Sequence, residues 1–337
     1  MKRITQKDLA RALGLDVSTV SKALKGDQAI AEATRERVAS KARELGFSPD
    51  PMLTALASYR NRQRPESYRA TLGWIYNHSR GEDMSGFAGY EAYYAGATAR
   101  AKDLGYRLEP FWMGDLKDAA SLERILQARG IQGVVVAPQA EMEKTLPLDW
   151  SKFSAAAIGY TLAEPGIDRV TNDHFATMTG LLERLTEYGY RRIGCYLWQT
   201  DNERMARRAR SAFEAVSRDL GSRVHLYRDF KPRQFLDWVQ RYDFDAVVCR
   251  GAAQLEALVD AGYRVPDQMG LAGYALDENE QRISGMQHNN RRIGAAAIEW
   301  VSGKIQRSQF GRSEFPQRLL ITSQWLDRQT LQNLGES

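Results

Sequence analysis

Eight short apolar runs separated by amphipathic stretches fill the chain from Thr71 onward, and few folds accept that rhythm. Runs at 71–76, 106–111, 133–137 and 155–159 are followed by a second set at 192–197, 224–227, 246–249 and 270–273. Continuous apolar wording such as Gly133-Val-Val-Val-Ala137 suits strands covered on both faces. Helical patterns lie between them at 93–104 and 120–129, then at 176–188, 206–220, 235–241 and 252–261. Strand and helix in alternation predict parallel, doubly wound sheets of the α/β class. The triplet Gly-Tyr-Arg at Gly105, Gly189 and Gly262 follows a helix each time, and Gly46-Phe47 echoes it. This reads as convergent helix ending, with Gly in the left-handed cap and an aromatic packing back, not as a true repeat. Some 270 residues remain beyond an N-terminal module, enough for two lobes at about 100–200 residues per domain.

The first fifty residues carry a different pattern. Thr5 N-caps a short helix whose Leu9, Ala10 and Leu13 share one face and whose stop is Gly14. After a tight turn Asp16 stands at a second N-cap, and Val20, Ala23 and Leu24 face inward while Ser18, Ser21 and Lys22 face outward. Two short helices joined by a Gly turn, the second rich in small polar residues, describe a helix-turn-helix shaped for the major groove. A helical cap that binds nothing is the alternative. Charge favours the groove: residues 1–64 hold 13 Lys or Arg against 7 acids, net +6, whereas the rest holds 34 against 35, net −1. A basic module on a near-neutral body is the footprint of phosphate attraction confined to one end.

These segments resemble the lactose-repressor (LacI/GalR) family of bacterial transcription regulators. The matching text is Thr5-x-Lys7-Asp8-Leu9-Ala10, Gly14, Val17-Ser18-Thr19-Val20-Ser21-Lys22-Ala23-Leu24, Thr34-Arg35-Glu36-Arg37-Val38 and Leu45-Gly46-Phe47-x-Pro49. The resemblance implies that Val17, Ser18 and Lys22 read bases, with Thr19 and Ser21 near phosphates and Thr5 and Asp16 at the DNA-facing helix starts. Ala31 stands where the family places a capping Ser, so the third helix begins less firmly. The segment after Pro49 is expected to form a hinge helix on DNA, with Leu56 wedged into the minor groove. Against that, Asp50 and Leu53-Thr54 depart from the family's wording, and an ordinary linker is the alternative. The implied body is a two-lobed, periplasmic-binding-protein-like core, whose lobes three strands connect, near 160–166, 276–285 and 316–320. The domains are then 1–48 for the headpiece and 49–66 for hinge helix and linker. The N-terminal effector lobe takes 67–160 plus about 285–316, and the C-terminal lobe 161–284 plus about 317–337.

Open parallel sheets bind ligands beyond the carboxyl ends of their strands. That places Asn77, His78, Trp112, Gln139, Tyr160, Trp198, Arg250 and Asp277 at the interlobe cleft, with Phe87 and Tyr90 after the first strand. Aromatics beside amide, guanidinium and carboxylate groups suit a sugar, although any one aromatic can equally be lobe core. The resemblance adds an Arg after the fifth strand, for which Arg207 and Arg208 are the best candidates. It also implies Asn-Asp after the seventh strand, where this chain has Arg250-Gly251. That exchange points toward an acidic or phosphorylated sugar, or toward a regulator without effector.

Other classes find little support. The four His stand far apart in sequence, and there is no P-loop, Gly-x-Gly-x-x-Gly or nucleophile elbow. Asp173 beside His174 reads as a helix cap more readily than as a dyad. Cys195 and Cys249 end strand runs and read as buried thiols of a reducing cytosol. No membrane-length apolar stretch or N-terminal signal core is present. The expectation is a cytoplasmic homodimer without cofactor or metal that binds double-stranded palindromic operator DNA, a repressor more than an activator, controlled by a small sugar-like effector. Residues 330–337 are too short for the family's tetramerising tail. A ligand-binding sensor without operator control, or a sugar-modifying enzyme, are the alternatives.

Overall fold

The computed structural model describes residues 4–24, 30–47, 70–81, 89–142, 144–220, 223–227 and 230–336. The hinge segment with Leu56, and Phe87, lie outside them. Three helices open the chain: α1 (Gln6–Leu13), α2 (Val17–Leu24) and α3 (Glu32–Glu44). Leu9, Ala10, Val20, Ala23, Val38 and Ala42 form their common core. Arg37 ties α3 to the end of α1 by donating to the Leu13 carbonyl at 2.8 Å. As the sequence implies, Ala31 makes no side-chain cap at the start of α3.

The body contains two six-stranded sheets. The N-terminal lobe is built from β1 (Ala70–Tyr76), β2 (Tyr106–Trp112), β3 (Gly133–Val136), β5 (Ser154–Ile158), β7 (Arg169–Asn172) and β13 (Arg318–Ile321). Their order is β13-β7-β5-β3-β1-β2, all parallel. A two-stranded annex, β4 (Lys144–Thr145) with β6 (Leu162–Glu164), stands beside it. The C-terminal lobe is built from β8 (Ile193–Trp198), β9 (Arg223–Tyr227), β10 (Ala246–Cys249), β11 (Gly270–Leu276), β12 (Ser284–Gln287) and β14 (Gln324–Leu326). Their order is β14-β12-β11-β10-β8-β9, with β14 alone antiparallel. Helices cover both faces, which is why every residue of β3, β5 and β10 is buried. The helices after the headpiece are α4 (Tyr90–Asp103), α5 (Ala119–Ala128), α6 (His174–Glu187), α7 (Gln199–Arg204), α8 (Arg208–Val216), α9 (Pro232–Tyr242), α10 (Ala252–Asp260) and α11 (Asn290–Gln306). Gly46, Gly105, Gly189 and Gly262 all adopt positive φ just past a helix, the shared stop that the triplets imply.

The lobes divide elsewhere than the sequence suggests. The chain crosses at 172–174, 288–290 and 322–323, not near 160–166, 276–285 and 316–320. The N-terminal lobe therefore takes 70–172 and 290–321, and the C-terminal lobe 174–287 and 324–336. The cause is two short strands, β7 and β13, each four residues long and carrying an Arg, which pair with each other at the sheet edge. Polar residues within them, Arg169, Thr171 and Asn172 in β7 and Arg318 in β13, hide them from an apolar-run reading. The predicted helix at 206–220 begins only at Arg208, because Ala206 and Arg207 adopt positive φ between α7 and α8, and its last turn, Ser217–Leu220, is a 3-10 helix.

Side-chain bonds lock the three crossings together. Asn172 Nδ2 donates to Thr177 Oγ1 (2.9 Å) and Ser323 Oγ to Asn172 Oδ1 (3.1 Å), while Asn289 Nδ2 reaches the Thr322 carbonyl (2.7 Å). Beside them α4 and α11 pack backbone to backbone. A Cβ added at Gly294 would lie 1.9 Å from the Tyr93 carbonyl oxygen, and one at Gly96 would lie 2.0 Å from that of Arg291. Because backbone cannot swing aside as a side chain does, Gly294→Ala is expected to destabilise the protein by about 3 kcal/mol or more in urea denaturation. Gly303→Ala on the same helix, where a Cβ meets only the guanidinium end of Arg307 at 3.1 Å, is the control. Equal effects at the two positions would remove the close-packing account.

Candidate functional site

The headpiece face is assembled by caps. The Asp8 N–H donates to Thr5 Oγ1 (3.3 Å) and the Thr5 N–H to Asp8 Oδ2 (2.9 Å), a reciprocal box that starts α1. Gly14, at φ 63°, turns the chain, and Asp16 Oδ1 accepts the Ser18 N–H at 2.7 Å where α2 begins. Hydrogen bonds from the Ser18 side chain and backbone hold the Asp16 carboxyl below its usual range. Helical spacing then sorts α2 into two faces: Val20 and Ala23 are buried, whereas Val17, Ser18 and Lys22 are open to solvent and Thr19 and Ser21 are half-buried between them. Ser18 and Lys22, four residues apart, project from one side. This is the arrangement that a groove-reading helix needs.

The second site lies where the carboxyl ends of both sheets meet. A cavity of about 280 Å³ opens there, close to the ~300 Å³ lower end for small-molecule sites. Of the residues expected in it, Tyr90, Tyr160, Trp198, Arg250 and Asp277 line the wall. Gln139 sits fully buried behind, its carbonyl accepting from the Tyr90 hydroxyl (3.1 Å) and from Arg204 Nη1 (2.9 Å). Asn77, His78 and Trp112 do not line it. His78 and Trp112 instead pack on Tyr76, with ring centroids 5.2 and 5.5 Å away, because β1 and β2 lie at the far edge of the sheet.

The arginines are arranged differently from the expectation. Arg207 caps α8 in the left-handed conformation and faces a separate hollow with Met142, Glu203 and Ala206. Arg208 packs its guanidinium over the Tyr160 ring at 5.1 Å, reaching from the C-terminal lobe to the N-terminal one. In place of Arg207 and Arg208 it is Arg204 that joins Arg250 on the cavity wall, and it also bonds the Ala140 carbonyl (3.1 Å) and the Tyr90 hydroxyl. Arg250 stacks on Trp198 (4.9 Å) and pairs with Asp201 through contacts of 3.1 and 3.3 Å, while the Tyr274 hydroxyl donates to Asp201 at 2.7 Å. The carboxylate missing after the seventh strand is thus supplied from α7. An unpaired guanidinium no longer argues for an acidic or phosphorylated ligand.

Sequence reasoning missed the floor of the cleft. His174 and His288, 114 positions apart in the chain, stand with ring centroids 5.4 Å apart, each at a crossing. Burial first, then His288 and Arg208, holds His174 well below the usual imidazole range. Burial holds His288 at about 4, against a backbone hydrogen bond with Tyr274 that works the other way. Both rings are therefore neutral at pH 7. Asp173 caps α6 by accepting the Ala176 N–H at 3.1 Å and makes no dyad with His174. No spacing rule links His174 to His288, since only the crossings bring them together.

Two expectations follow. Asp201 is mostly buried and Arg250 about a third exposed, so a double-mutant cycle with Arg250→Ala and Asp201→Asn should give a coupling of about 1 kcal/mol in urea denaturation, with zero coupling excluding the pair. For His288, folded and unfolded chains are alike above pH ~6.5, the usual imidazole value. Between there and about 4 the unfolded chain takes up a proton that the folded one refuses, so stability should fall with pH across that window, and less steeply in His288→Asn. Equal slopes in both proteins would contradict it.

Comparison with known proteins agrees with this arrangement. Residues 5–50 match the family model for bacterial regulatory proteins of the lacI family. Residues 70–230 match that for periplasmic binding proteins and the sugar binding domain of the LacI family, and residues 182–331 a periplasmic binding protein-like domain. The HTH-type transcriptional regulator PtxS of Pseudomonas plecoglossicida is 26% identical, over 91% of each chain. The HTH-type transcriptional repressor PurR of Aliivibrio salmonicida is 22% identical, over 92% of this chain and 95% of its own. The transcriptional regulator CelR in its cellobiose complex shares the fold at TM-score 0.59 and 19% identity, over 97% of this chain and 100% of its own. The lac repressor dimer bound to operator and the anti-inducer ONPF does so at 0.57 and 15%, over 98% and 99%. A helix-turn-helix headpiece, two doubly wound lobes and matches running through both make this chain a member of the LacI family of bacterial regulatory proteins.

Proposed function

We propose that the chain is a cytoplasmic, homodimeric repressor that reads a palindromic operator through α2 and is controlled by a small carbohydrate-like effector in the interlobe cleft. The observation that carries the DNA reading is the solvent-facing row Val17, Ser18 and Lys22 on a capped helix within a module of net +6. A two-fold dimer presents two such helices and so demands a symmetric site. Thr5 and Asp16 fix the helix starts, Thr19 and Ser21 approach phosphates, and Leu56 supplies a minor-groove wedge. The cleft supports the second half of the reading: aromatic faces of Tyr90, Tyr160 and Trp198 stand beside the Arg250–Asp201 pair and Asp277, as a ring with hydroxyls requires. Relatives of this chain include a sucrose operon repressor, 21% identical over 80% of this chain. Among described residues no helix is long and apolar enough to cross a membrane.

Lys22→Ala tests the DNA half. It should relax base preference at one symmetric position per half-site, at a cost of about 1–3 kcal/mol on the preferred sequence, in competition binding against a randomised palindrome library. Equal weakening on preferred and random DNA would make Lys22 a phosphate contact only.

A further inference from the structure

The three crossings join the lobes along one side only. They follow β7, β12 and β13, which lie at or next to one edge of their sheets, whereas β2 and β9 form the opposite edges. Two rigid bodies joined along one side hinge open about it unless something holds the other side. The exposed Arg291–Glu278 ion pair (2.8 Å) cannot do so, because it stands beside the crossing at 288–290. Closure therefore has to be looked for farther along the cleft.

It is found in the turn from Arg204 to Arg208 of the C-terminal lobe. Arg204 Nη1 donates to the carbonyls of Gln139 (2.9 Å) and Ala140 (3.1 Å), and its Nη2 donates to the Tyr90 hydroxyl. That hydroxyl donates in turn to the Gln139 carbonyl (3.1 Å), which closes a ring of bonds between the lobes. The partners follow β3 and β1, and α7 follows β8, so the ring forms on the side of the cleft toward β2 and β9. A guanidinium suits this place, since its fixed fork of donors engages two carbonyls and a hydroxyl at once. Arg208 adds its cation over the Tyr160 ring. The turn that aims both arginines is strained: Ala206 and Arg207 hold φ of 51° and 61°, where residues other than glycine seldom sit. Their N–H groups are fixed there by the Glu203 (2.8 Å) and Asn202 (2.7 Å) carbonyls. The strained turn leaves Arg204 at the end of α7 and Arg208 at the start of α8, both reaching the N-terminal lobe.

We propose that Arg204 is a positioning residue, a clasp that holds the lobes closed with the chain's own hydrogen bonds. Closure is then a property of the unliganded chain and is not left for a ligand to supply. Arg204 and Tyr90 also line the cavity, so the side chains that close the cleft are part of its wall. Whatever occupies the cleft acts on a molecule that is already closed.

Distance measurement by electron spin resonance on the full chain, without ligand or DNA, tests it. Spin labels go on Lys117→Cys, just past β2, and Arg233→Cys, just past β9, both exposed. Cys195 and Cys249 are buried and stay unlabelled. Arg204→Ala should lengthen and broaden the distance between the labels. Tyr90→Phe removes only the hydroxyl from the ring of bonds, so it should shift the distance the same way by less, with little risk to folding. Hydrogen exchange separates opening from general loosening. In Arg204→Ala the amides of residues 139–142 should exchange about tenfold faster or more, as loss of hydrogen bonds to a charged donor implies. The Thr177 and His288 amides at the crossings should keep the parent's rates. An unchanged distance in both variants overturns the clasp. So does exchange at Thr177 and His288 that rises in step with residues 139–142, since Arg204 would then support the whole fold. Both measurements are made without ligand, so neither outcome bears on the effector reading of the cleft.

Discussion

Everything in the body depends on three chain crossings that meet in one place. Parallel sheets present their ligand-binding edge at the carboxyl ends of the strands, and two such sheets share a cleft only if the chain passes between them beside that edge. Asn172, Thr177, Asn289, Thr322 and Ser323 bond the crossings to one another, so the lobes have a common seam rather than three separate tethers. His174 and His288 belong to that seam and to the cavity at once. A ligand on the floor therefore touches the elements that relate the lobes.

The seam is braced from the N-terminal lobe. Packing of α4 against α11 through Gly96 and Gly294 sets the start of α11, where Asn290 enters the cleft, and the start of α4, where Tyr90 and Tyr93 do. At its other end α11 is anchored by Lys304, whose ammonium donates to Asp168 at 2.7 Å with both side chains more than nine-tenths buried. Asp168 also accepts from Trp300 Nε1 and the Gln317 N–H, the bond that seats β13 next to β7. Burial raises the Asp168 carboxyl and these partners outweigh it, holding it below the usual range. One buried carboxylate thus fixes a helix and the edge strand that leads to the last crossing.

Charge is used differently at the two ends of the molecule. The headpiece leaves Lys7, Arg11 and Lys22 facing solvent, where a polyanion can displace their counterions. In the cleft the guanidinium groups are engaged by protein: Arg250 by Asp201, Arg208 by the Tyr160 ring and Arg204 by carbonyls of the opposite lobe. The same residue type therefore serves attraction in one place and interlobe contact in the other.

Local chemistry was readable without coordinates wherever a few neighbouring residues decide the outcome. The Thr5 and Asp16 helix starts, the Gly14 turn, the two faces of α2 and the glycine stops depend on contacts within four residues, and the sequence by itself determined them. The apolar runs likewise determined the class and the two-lobed body, because a strand covered on both faces has one composition. Tertiary structure alone decided where the chain changes lobes, since β13 is a strand only by virtue of pairing with β7, 146 residues or more away, and β7 lies between it and β5. It alone decided that Arg250 meets Asp201 and that Arg204, not Arg207, faces the cavity, because two residues at positive φ turn α8 away from the line of α7. The His174–His288 floor is the extreme case: its two members share no local pattern, and only the meeting of the crossings brings them to one cavity.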